Sequence, residues 1–108
     1  MLGLVIQREE RIMNEVRIVA TLVASPGQIE GVRQAALCLV EPSRAERGNV
    51  RYDLHQVQGQ ADTLLFFEIW QSQQALNQHE GSPHFASFLA AIEGKCLSIE
   101  VKVLQPIA

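Results

Sequence analysis

The sequence predicts one α+β domain of the ferredoxin-like kind: a split β-α-β arrangement with an antiparallel sheet and helices on one face. Three observations lead there. Segments with strand and helix periodicity alternate in the order β-α-β-β-α-β. The chain has 108 residues, the length of one domain and enough to bury one core without staples. Its hydrophobic fraction of 47% and charged fraction of 19% are globular, with a slight apolar excess that a subunit interface or a cavity would absorb.

Each element has its own signal. Val16–Ala24 reads V-R-I-V-A-T-L-V-A, nearly continuous and β-branched, as a strand covered on both faces would be. Ser25 and Pro26 form a helix-start pair, N-cap then first turn. Ile29, Val32, Ala36, Leu39 and Val40 then recur at helical spacing. Pro42 is expected to kink or end that helix, with up to one further turn before Gly48.

A second strand is expected over residues 49–57, with Val50, Tyr52 and Leu54 on one face. A hairpin loop follows at 58–62. Thr63–Trp70 carries apolar residues on both faces, which marks a central strand. A short helix is expected over 72–79, stopped by Gly81. Ser82 and Pro83 start another, whose face is Phe85, Phe88, Leu89 and Ile92, and Gly94 caps it. Cys96–Leu104 is the last strand, with Leu97, Ile99, Val101 and Val103 alternating with polar residues. Residues 1–14 read as an N-terminal extension and 15–108 as the domain.

Composition excludes several classes. Nine Lys and Arg against twelve Asp and Glu give a net charge of -3 with no basic stripe, which argues against nucleic acid or an anionic membrane as partner. No run of eighteen apolar residues could span a membrane, and the short apolar start has no basic region before it, so neither a transmembrane segment nor a signal peptide is expected. Cys38 and Cys96 are far apart and outside any C-x-x-C pair. They fit reduced, near-core thiols in a cytoplasmic protein. No glycine-rich nucleotide loop is present, so no flavin, nicotinamide or nucleotide cofactor is expected.

Chemistry concentrates in two places. Glu68 and Trp70 lie two apart on one strand and share a face with Phe66 and Leu64. A carboxylate on such a face needs a hydrogen-bond partner or a raised pKa, and the second suits an acid or base. Trp70 would offer an aromatic wall; a plain core tryptophan is the alternative. His79 and His84 read H-E-x-x-x-H. A zinc-protease helix needs H-E-x-x-H on continuous helix, so the spacing is off by one and no metal site is expected. Tyr52 reaches a pocket only if its strand face points inward.

The segments Asn49-Val50-Arg51-Tyr52-Asp53-Leu54-His55, Phe67-Glu68-Ile69-Trp70 and His79-Glu80-Gly81-Ser82-Pro83-His84-Phe85 resemble, in this order, the antibiotic biosynthesis monooxygenase family. Ser25-Pro26-Gly27 and Pro42-Ser43-Arg44-Ala45-Glu46 match at corresponding places, so the resemblance spans about residues 16–105. It implies a dimeric α+β barrel in which two sheets pack together as a homodimer, with a pocket in each subunit. It also implies a cofactor-independent monooxygenase acting on a small hydroxylated aromatic, a quinol or phenol. His79 and Glu68 would then be the catalytic acid–base groups, and Trp70, Phe66, Tyr52, Phe85 and His84 would form the substrate pocket. Two departures matter. The first strand lacks the asparagine of heme-degrading relatives. Phe66 also stands where relatives that oxidise polycyclic phenols carry asparagine. The rival expectations are an isomerase of a small hydroxy-ketone, or a phosphorylated one, and a non-enzymatic small-ligand binder.

Overall fold

The computed structural model describes residues 14–108. The expected extension therefore lies almost wholly outside the described residues. The elements are β1 (Val16–Ala24), α1 (Ile29–Arg44), β2 (Asn49–Gln56), β3 (Thr63–Trp70), α2 (Gln73–Glu80), α3 (Pro83–Ile92) and β4 (Cys96–Leu104). The four strands form one antiparallel sheet in the order β2-β3-β1-β4, with β3 and β1 central as their apolar runs predict. No helix among the described residues is long and apolar enough to cross a membrane.

The β1–β3 register sets the core. Leu22 pairs with Leu64, Ala20 with Phe66, Ile18 with Glu68 and Val16 with Trp70, so this face of both strands turns toward the helices. Val32, Ala36, Leu39 and Val40 of α1 bury against it, together with Phe88 and Ile92 of α3. The opposite sheet face carries Leu65, Phe67 and Ile69, half-buried and without a helix layer among the described residues.

Four details differ from the sequence expectation. Ser25–Pro26 does not start the helix. Gln28 N–H donates to Ser25 O at 2.9 Å around Gly27, whose φ of +79° is open to glycine, and α1 begins only at Ile29. Pro42 does not end α1, which runs through it to Arg44. The carbonyl that its missing N–H leaves without a helical donor belongs to Cys38, an exposed residue. Cys38 is accordingly exposed rather than near-core, and Cys96 is half-buried; both are free thiols. Finally, a register shift between Asn49 and Arg51 turns Val50 out to 50% exposure, while Tyr52 keeps the inward face at 2%.

β4 is an edge strand. Ile99, Val101 and Val103 pair with Leu22, Ala20 and Ile18, so they lie on the helix side, yet each is more than half exposed because the helices stop short of this edge. At the other side, the loop from α1 to β2 is drawn tightly onto α2. Gln71 N–H donates to Gly48 O at 2.8 Å, and a side chain at Gly48 would overlap the Ala75 methyl. Gly48→Ala is expected to destabilise the chain by about 1–3 kcal/mol. Ala75→Gly in the same chain should restore part of it, as measured by chemical denaturation. Independent, additive losses would show that the two positions do not collide.

Candidate active site

A cavity of about 270 Å³ opens between the inward sheet face and α2 and α3. Its walls are mostly aliphatic and aromatic: Ile18 and Leu22 from β1, Phe66 from β3, Phe85 and Phe88 from α3, and Ile99 and Val101 from the β4 edge. The polar residues on the wall are Glu68, His79, Glu80 and Tyr52. A space of this size suits a compact, mainly apolar ligand oriented by few polar contacts.

Glu68 and Trp70 project from β3 to the same side. Trp70 Nε1–H donates to Glu68 Oε1 at 2.9 Å. This N–H is the carboxylate's one side-chain partner among the described residues, and Glu68 is only 6% exposed. Burial therefore raises its pKa to about 7. The Trp70 N–H opposes that rise, and the charges of Glu80 and Glu46 add to it. Trp70 itself is completely buried and does not line the cavity; it stands behind Glu68 as its donor and against His79, with ring centroids 4.5 Å apart. The expected aromatic wall is instead supplied by Phe66, Tyr52, Phe85 and Phe88.

His79 sits in the last turn of α2. That helix is held by Ser72, whose hydroxyl accepts from Ala75 N–H at 3.1 Å. The imidazole is 1% exposed, between Trp70, Tyr52 and Phe85. Its Nδ1 lies 2.6 Å from Glu46 Oε2. An ionised carboxylate can only accept, so the neutral ring carries its proton on Nδ1 and keeps a lone pair on Nε2. That Nε2 is buried and has no hydrogen-bond partner among the described residues. Burial lowers the His79 pKa, against the opposing hydrogen bond and charge of Glu46. Tyr52 is shifted the other way: burial first, then the Glu68 charge, hold its hydroxyl protonated.

Glu46 is the residue that sequence reasoning missed. It appears there only within a matching segment, with no role. It sits in the α1–β2 loop, 33 residues before His79, and no periodicity marks it. His84 also addresses Glu46 Oε2, through Nε2 at 2.9 Å, and is not on the cavity wall. The one signal in the sequence was the close spacing of His79 and His84.

The family model described as antibiotic biosynthesis monooxygenase matches residues 15–91. The chain belongs to the antibiotic biosynthesis monooxygenase family. YcnE of Bacillus subtilis is 35% identical over 71 residues, covering 66% of this chain and 75% of YcnE. Rv0793 of Mycobacterium tuberculosis is 32% identical over 94 residues, covering 85% and 91% respectively. Both carry monooxygenase names. The crystal structure of PA3566 from Pseudomonas aeruginosa superposes with a TM-score of 0.84 at 32% identity, over 88% of this chain and 96% of that one. The ferredoxin-like α+β fold expected from the element order is thus also the fold of this relative.

The Glu68 shift has a measurable consequence for this family member. Glu68 holds its proton more tightly folded, at about 7, than at its ordinary 4.5. Its contribution to stability is fully present below the unfolded value and is lost as pH rises through the folded one. Glu68→Gln stays neutral throughout. It is expected to match the parent in melting at about pH 4 and to exceed it by up to about 3 kcal/mol at about pH 8. Parallel stability curves across that range would contradict the buried carboxyl assignment.

Proposed function

We propose that this chain is a cofactor-independent monooxygenase that oxidises a small hydroxylated aromatic, a quinol or phenol, with O₂. The observation that carries this reading is the Nε2 of His79, without a hydrogen-bond partner among the described residues, on a ring backed by Glu46 in the wall of an aromatic-lined cavity. The ring of the substrate lies against Phe66 and Phe85. His79 Nε2 takes the hydroxyl proton, and the Tyr52 hydroxyl or protonated Glu68 donates to a second oxygen. The resulting electron-rich anion reduces O₂ directly. One quinol and one O₂ balance as a hydroxyquinone and one water, so the substrate supplies every electron. General-base assistance is worth about 10²–10⁴-fold.

His79→Asn and Glu68→Gln keep shape and remove proton-transfer capacity. At least one is expected to lower quinol turnover by roughly 10²-fold, with His79→Asn the larger, read by oxygen uptake. Full turnover in both would overturn the acid–base role. A second reading draws on Glu68, whose pKa near 7 suits a group that both gives and takes a proton. With His79 it could move a proton beside the carbonyl of a small hydroxy-ketone. Solvent proton exchange without oxygen uptake marks that isomerase, and silence in both assays marks a binding protein.

The assembly we propose is a cytoplasmic homodimer closed through the uncovered sheet face. Support comes from Leu65, Phe67, Ile69 and Val19, apolar and half-buried with no helix over them among the described residues. The free thiols of Cys38 and Cys96 fit a reducing compartment. Sedimentation at micromolar concentration is expected to give a dimer, and Phe67→Lys should shift it toward monomer. A stable monomeric parent would refute this assembly.

A further inference from the structure

His79 and His84 are one residue too far apart for the zinc-protease motif, and the helix between them is broken. That break is what brings them together. α2 ends at Glu80 and α3 begins at Pro83. The turn is fixed by Ser82, whose Oγ–H donates to His79 O at 2.6 Å and whose Oγ accepts from Phe85 N–H at 3.3 Å. The chain reverses there, and the two imidazole centroids come within 5.9 Å. Both rings then meet one oxygen of Glu46, with His79 Nδ1 at 2.6 Å and His84 Nε2 at 2.9 Å. One donor atom from each of the three residues lies within 4.8 Å of the others.

We propose that Glu46, His79 and His84 form a binding site for a borderline divalent cation, zinc fitting best, that regulates the cavity from behind its wall. Two imidazoles and one carboxylate are the donor set of zinc and its neighbours, not of magnesium or calcium. Ligand distances of about 2.0–2.2 Å at tetrahedral angles put donors roughly 3.3 Å apart. The two hydrogen-bonded separations need to open by less than about 1 Å, as the ion replaces two shared protons. The side chains of Glu46 and His84 are 17% and 23% exposed, so an ion can arrive from solvent and keep water as its fourth ligand. Glu46 is in a loop and His84 in a first helical turn, where such adjustment is easy.

His79 lines the cavity, whereas Glu46 and His84 do not. The ion therefore acts on a ligand through the His79 ring. Coordination at Nδ1 forces the ring proton onto Nε2. The lone pair that the proposed oxidation uses is then gone, and the ring becomes a donor. The inhibitory consequence rests on His79 being the base; binding of the cation does not.

Isothermal titration of the chelator-treated full chain with zinc chloride is expected to show one equivalent per chain and a rise in melting temperature. Glu46→Gln and His84→Ala should each weaken binding on the order of a hundredfold. The double change Cys38→Ser with Cys96→Ser should leave it intact. No saturable uptake by the parent overturns the site, as does uptake unchanged in Glu46→Gln and His84→Ala, or abolished by the cysteine changes. Anomalous scattering at the zinc edge from parent crystals identifies the ligands even if a variant folds poorly: density between the three side chains supports the site, and density elsewhere refutes it. Zinc should also suppress quinol turnover by the parent. Failure of the base reading shows as an inactive zinc-free chain, and failure of the cation site as absence of zinc uptake.

Discussion

The contact between His79 Nδ1 and Glu46 Oε2 joins two segments 33 residues apart, one in the α1–β2 loop and one at the end of α2. It fixes the tautomer of a fully buried imidazole and so decides which nitrogen can act on a ligand. A carboxylate acceptor makes such a bond roughly twice as strong as a neutral one. Its geometry depends on the close seating of the loop on α2, where Gly48 meets Ala75. It depends equally on the stacking of the imidazole against Trp70. Without the clasp, a buried ring with an orphaned Nε2 would have neither a defined proton position nor compensation for its lost hydration.

The same burial acts in opposite senses on the two titratable groups of the wall. It disfavours the charged form of each, so the carboxyl of Glu68 rises to about 7 while the imidazole of His79 falls. His79 is thereby biased to its neutral form, and Glu68 is about half protonated near pH 7 rather than fully ionised. Each retains one compensating contact, the Trp70 N–H for Glu68 and the Glu46 carboxylate for His79. The cost is met by the β1–β3 core beneath, where Ile18, Leu22, Leu64 and Phe66 are almost completely buried.

The outer sheet face and the β4 edge, among the described residues, lie outside that core for different reasons. The outer sheet face is apolar because β1 and β3 carry apolar residues on both sides, and α1 to α3 occupy only one. The β4 edge is apolar on its inward side, but the helices end before reaching it, so Ile99, Val101 and Val103 are both cavity wall and exposed surface. An unpaired edge of this kind invites further cover. The first surface is a matter of sheet layering and the second of helix length, and a partner over one leaves the other to be settled by the cavity's own contents.

The sequence by itself determined the element order, the central place of β1 and β3, and the inward row of Phe66, Glu68 and Trp70. These follow from local periodicity, because strand alternation and helical spacing are set by neighbours within a few residues. His79 was marked by the family resemblance, and Tyr52 only on condition that its strand face points inward, which the sheet decides. The sequence misplaced the α1 start at Ser25–Pro26, where a turn around Gly27 overrides the usual signal, while the expected further turn after Pro42 carries α1 to Arg44. Only the tertiary structure decided that Glu46 clasps His79, that Trp70 supports Glu68 from behind the wall, and that His84 turns back to the same carboxylate. Those pairings span 33 and 38 residues or depend on a break between helices, and no periodicity in the chain encodes a contact made by its folding back on itself.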